Sequence, residues 1–113
     1  MKDLEDNLKG DILRCLESEH VIGVVLGHGD GSYGEVSHIP NYSSMPFGKL
    51  LSWDEALKWI DYDYYGGFGT GGCQCFYMWT EQSVLLVEGY DGTCHIVKIP
   101  RNPIDVLPVF IGG

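Results

Sequence analysis

Near the start of the chain apolar residues recur at helical spacing, with Leu4, Leu8, Ile12, Cys15 and Leu16 set among Glu5, Asp6, Lys9 and Asp11. The spacing predicts an amphipathic helix over Lys2 to His20, with Asp3 as cap and acidic residues gathered at the positive end of the helix dipole. Gly10 weakens its middle. Val21-Ile22-Gly23-Val24-Val25-Leu26 is a continuous β-branched run, the signature of a strand buried on both faces. After the glycine-rich stretch Gly27 to Gly34, Glu35 to Ile39 is expected to return as its hairpin partner, and Pro40 to Gly48 reads as a loop.

The sharpest local signal is Leu51-Ser52-Trp53-Asp54-Glu55-Ala56. Ser52 can accept the Glu55 amide while the Glu55 carboxylate reaches back, and Leu51 and Ala56 hold the staple positions, so a helix should start at Trp53. Its apolar stripe is Trp53, Ala56, Leu57 and Ile60, and it should stop near Asp61, where a glycine-rich stretch without helical period begins. Cys73 to Thr80 reads as a strand with Cys73, Cys75, Tyr77 and Trp79 on one face and Gln74, Phe76 and Met78 on the other. Both faces are apolar, which predicts a central position. Ser83 to Tyr90 and Thr93 to Ile99 flank Asp91-Gly92, a strong hairpin signal. The element order αββαβββ predicts an α+β fold, an antiparallel sheet of about five strands packed by two helices. One domain is expected, with a core over residues 1–99 and an extended Pro-rich tail over 100–113, where Val109-Phe110-Ile111 could add an edge strand.

Composition narrows the function classes. A chain of 113 residues and 12.6 kDa buries about two-thirds of its unfolded surface, enough for one core without staples. The formal net charge of −9 repels phosphate backbones, so direct nucleic-acid binding is not expected, whereas docking on a protein with a basic surface is. No stretch is long and apolar enough for a membrane span, and the acidic N-terminus is unlike a signal peptide, so a cytoplasmic protein without membrane contact is expected. Cys15, Cys73, Cys75 and Cys94 then read as free thiols. Cys73, Cys75, Cys94 and His95 lack the usual spacing of a zinc site, so no metal and no cofactor is expected. Composition leaves the oligomeric state open.

The segment Asp61, Tyr62, Asp63, Tyr64, Tyr65 and Phe68 concentrates aromatics and carboxylates just past a helix end. Tyrosines are preferred interface anchors, so this segment is the expected partner site, at least two of its aromatics exposed and Asp54 and Glu55 adding acidic contacts. Small phage-encoded inhibitors of host defence and toxin-immunity proteins share this profile of size, charge and architecture, without a shared motif. The expected role is a non-catalytic protein that binds another macromolecule and blocks or modulates it. The alternative is a module that holds a small molecule or nucleotide at glycine loops, with Gly27, His28, Gly29, Asp30, Gly71 and Gly72 as its residues, although neither loop has the lysine of a P-loop. A third reading takes Cys73 or Cys75 with His95 and Asp91 as nucleophile, base and orienter. The terminal Gly112-Gly113 resembles the ending of ubiquitin-like and sulfur-carrier proteins, which would imply a carrier. That resemblance covers the dipeptide and a coarse element order, and Pro108 interrupts where the last strand of that fold would run.

Overall fold

In a computed structural model, residues 6–29, 39–64, 74–90 and 93–108 of the chain are described. The elements are β1 (Asp6–Asn7), α1 (Leu8–Leu16), β2 (Val21–Gly29), a 3-10 turn (Tyr42–Ser44), β3 (Leu50–Leu51), α2 (Trp53–Ile60), β4 (Asp63–Tyr64), β5 (Gln74–Thr80), β6 (Ser83–Tyr90) and β7 (Thr93–Pro100). The fold is α+β: an antiparallel five-stranded sheet in the order β3-β2-β5-β6-β7, with both helices on one face. Helix α2 lies over β2 and β3, helix α1 over β7, and the two helices touch. Between helices and sheet sits the core, in which Leu8, Ile12, Val24, Leu26, Ala56, Ile60, Met78 and Leu85 are fully buried.

Helix α1 is shorter than the apolar spacing predicts, and both ends have a physical cause. Asp6 and Asn7 pair with Tyr64 and Asp63 as strands, which stops the helix from running further back. The Asn7 side chain then caps it by accepting the Gly10 N–H at 2.9 Å. Asp3, the expected cap, lies outside the described residues. At the other end Glu17 and Ser18 adopt left-handed φ of 52° and 77°, so the helix closes at Leu16 and not at His20. Helix α2 begins at Trp53 with the full capping box between Ser52 and Glu55, as its sequence predicts.

Beside β2 at Val24 and Val25 stands β3, and of the expected hairpin partner, Glu35 to Ile39, only Ile39 is among the described residues. Leu50 and Leu51 pair with Val25 and Val24 at the sheet edge, while Ile39 is buried outside any strand. Strand β2 is central, yet one of its faces is open: Val24 and Leu26 are buried, whereas Ile22, in a bulge against β5, is 54% exposed. Residues 101–108 are irregular and all exposed. The expected edge strand at 109–111 falls outside the described residues.

Candidate functional site

Of the segment expected to present aromatic anchors, Tyr62 and Tyr64 are instead part of the core. Tyr62 and Tyr64 are each 4% exposed, while Asp61 and Asp63 point to solvent. The alternation Asp-Tyr-Asp-Tyr is a strand pattern, and β4 uses it: pairing with β1 turns both tyrosines inward. The Tyr62 hydroxyl donates to Gln74 Oε1 at 3.0 Å and accepts the Gln74 N–H at 3.2 Å, and Tyr64 donates to Asp11 Oδ2 at 2.6 Å. Asn7 Nδ2 donates to the carboxylates of Asp61 and Asp63. The expectation of exposed tyrosines is therefore corrected for these two. Tyr65 and Phe68 lie outside the described residues. Asp54 and Glu55 are exposed at the start of α2, where hydrogen bonds from Ser52 hold the Glu55 carboxyl below its usual pKa.

Among the described residues the larger apolar surface is the sheet face away from the helices, which no described element covers. Cross-strand register places Leu50 beside Val25, Val25 beside Tyr77, Tyr77 beside Leu86 and Leu86 beside Val97, one row that crosses all five strands. A second row runs from Gly23 through Trp79 and Val84 to Ile99. Leu50 is 71% exposed, Tyr77 57% and Ile99 38%, and the other side chains of these rows are half-buried by their neighbours. Tyr77 and Trp79 meet edge to face with ring centroids 6.2 Å apart. Leu50 lies over Gly23, where an added Cβ would stand 2.9 Å from its Cδ1. Glu88 follows the first row along β6, and exposed Glu81 follows the second in the β5–β6 turn. The sequence signal for this face was the apolar alternation Cys75-Tyr77-Trp79. It shows that both faces of β5 are apolar without showing that the helices cover only one.

A cleft opens where the sheet forks. Strands β5 and β6 pair only from Tyr77 to Trp79, after which β6 follows β7 while β5 stays with β2. The cleft is about 520 Å³ and is lined by Gly27, His28, Phe47, Cys75, Tyr77 and Leu86, among others. Gly48 at φ +75° turns the chain, and its N–H donates to the Leu26 carbonyl at 2.9 Å, which sets Phe47 against the end of β2. The His28 and Phe47 rings lie 4.1 Å apart. The Tyr42 hydroxyl accepts the Gly29 N–H at 2.9 Å and stands 3.3 Å from His28 Nδ1. Of the six residues of the glycine-loop alternative, Gly27, His28 and Gly29 are thus at or beside a cleft, and Asp30, Gly71 and Gly72 lie outside the described residues.

The Cys75 thiol donates to the His28 carbonyl at 3.2 Å. Cys75 and His95 are on strands separated by β6, and Cys73 and Asp91 lie outside the described residues. Among the described residues no group of three or more His, Cys, Asp or Glu could hold a metal ion, and no helix is long and apolar enough to cross a membrane. No protein family matches the chain, no curated protein matches it, and no solved structure matches it.

Proposed function

We propose that the protein is a non-catalytic binder that engages another protein through the bare sheet face and blocks or modulates it. The observation that carries this reading is the row Leu50, Val25, Tyr77, Leu86 and Val97, apolar on all five strands and opposite the helices. Scattered exposed apolar residues need no explanation, but contiguous apolar patches mark interaction sites, and Tyr and Trp are the preferred anchors within them. The net charge of −9, with Glu88 beside the first row on β6 and Glu81 beside the second in the β5–β6 turn, favours a partner whose apolar patch is rimmed by Lys and Arg. The carboxylates of Asp54, Glu55, Asp61 and Asp63 belong to the helical layer, where they would steer approach without touching the partner.

Immobilised wild type and a Leu50→Asp/Tyr77→Asp double variant, both checked for the same melting temperature, test the reading in native extract. A basic protein retained by the wild type and lost by the variant is expected. Its retention should weaken with salt as the screening length contracts from about 10 Å at 0.1 M to about 3 Å at 1 M. Equal retention by the double variant contradicts the assignment.

A further inference from the structure

The fork between β5 and β6 carries an inference beyond protein docking, for a cleft that shares Val25, Tyr77 and Leu86 with the docking row. We propose that the cleft there binds a small, planar, uncharged aromatic molecule bearing a hydrogen-bond acceptor. The sheet opens because β5 leaves β6 beyond Tyr77 and Leu86, and the gap reaches inward to Leu26 and Phe76, both buried. Its volume of about 520 Å³ falls in the range of small-molecule sites, which are mostly apolar with a few placed polar groups.

The class of ligand follows from the lining. Among the described residues no Lys, Arg, Asp or Glu lines the cleft, and a protein of charge −9 repels anions, so a nucleotide phosphate finds no counter-charge among them. Ring surfaces are supplied by His28 and Phe47, tilted 33° to one another, and by Tyr77. The Tyr42 hydroxyl accepts the Gly29 N–H and stands 3.3 Å from His28 Nδ1, a contact open to either tautomer of the ring. In the tautomer that takes the Tyr42 proton at Nδ1, Nε2 carries hydrogen and is the proposed donor for an acceptor atom on the ligand. Gly27 is required beneath the site, because a Cβ there would stand 2.5 Å from Cys75 Sγ.

Quinoline, neutral above pH 7, is a suitable probe, and benzoate is its anionic counterpart. Cys75 at the cleft lining reports occupancy through its alkylation by iodoacetamide, with peptide mapping to separate it from Cys15 on α1. The Cys15 thiol is pushed up in pKa by burial and then by Asp11, which makes it a slow internal control. Quinoline at ten times its dissociation constant should slow alkylation of Cys75 about tenfold by mass action and leave Cys15 unchanged. A Leu86→Trp variant, which fills the cleft, should lose that protection. Unchanged Cys75 alkylation in quinoline overturns the proposal. Equal protection by benzoate overturns the neutral class, and protection that survives in a folded Leu86→Trp variant overturns the cleft as the site.

Discussion

Glu19 and Lys98 form an ion pair at 2.8 Å that ties the turn after α1 to the edge strand β7. Lys98 stands on the helix-facing side of the sheet, and its ammonium also reaches the Glu17 carboxylate at 3.1 Å and the Leu16 carbonyl at the end of α1. Glu19 further accepts the Thr80 hydroxyl at 2.6 Å, while Thr80 Oγ1 accepts the N–H groups of Gln82 and Ser83. One carboxylate thus connects a helix end, the β5–β6 turn and the far edge of the sheet.

The pair predicts a pH dependence of stability. Hydrogen bonds from Lys98 and then Thr80 lower the Glu19 pKa. Its contribution is complete above the unfolded carboxylate value of about 4.3 and is lost as pH falls through the lower folded value. Burial lowers the Lys98 pKa, but hydrogen bonds to Glu19 and Glu17 outweigh it and the net shift is upward. That contribution is complete below about pH 10.4 and is lost as pH rises further. Glu19→Gln should cost about 2 kcal/mol near neutral pH. Urea unfolding from pH 7 to 2.5 should show the gap between wild type and variant closing in acid, and two parallel curves would contradict the role given to Glu19.

Ser18 holds φ 77° with an exposed side chain, next to Glu17 at 52°. A left-handed conformation costs an L-residue about 1–2 kcal/mol, part of which glycine returns as entropy. Ser18→Gly should therefore stabilise the protein by up to about 1 kcal/mol, read as a higher melting temperature. A lower one would mean that the Ser18 side chain supports the turn.

The acidic aromatic segment gives the opposite sign. Tyr62→Phe removes the hydroxyl that satisfies both the N–H and Oε1 of buried Gln74, and stranding buried polar groups costs about 1–3 kcal/mol each. Chemical denaturation should show a loss in that range. A change within about 0.5 kcal/mol, typical of surface positions, would place Tyr62 at the surface.

How much of this was legible in the sequence depends on whether a signal was local. The capping box at Ser52 and Glu55 fixes α2 by itself, and the Asp91-Gly92 pair was enough to join β6 to β7 in register. The alternation Asp61-Tyr62-Asp63-Tyr64 is equally local, but its aromatic content suits an exposed interface as well as its period of two suits a strand. What the chain could not show was the long-range pairing that gives β1 and β3 their partners. Two-residue strands carry no period, and Leu50 and Leu51 pair with β2 across more than twenty residues. The bare face was hidden for a related reason, since both sides of β5 are apolar and helix placement decides which is covered.

Gly27 and Cys75 should be coupled energetically. With a Cβ at position 27 only 2.5 Å from Cys75 Sγ and 3.3 Å from its carbonyl oxygen, Gly27→Ala should destabilise by about 1–3 kcal/mol through overpacking. Adding Cys75→Ala removes the sulfur but not the carbonyl, so the double variant should recover part of the loss. A double-mutant cycle reads this directly, and additive effects would show that the two residues do not press on each other.

Site-specific photocrosslinking tests the binding face most directly. A benzophenone side chain placed at Tyr77 or Leu86 on the bare face, and at Glu55 or Lys58 on α2, samples the two sides of the sheet without moving the core. Irradiation in native extract should yield a defined adduct with a basic protein from positions 77 and 86 and none from 55 and 58. Adducts confined to positions 55 and 58 would move the binding surface to the helical layer and contradict the assignment of the sheet face.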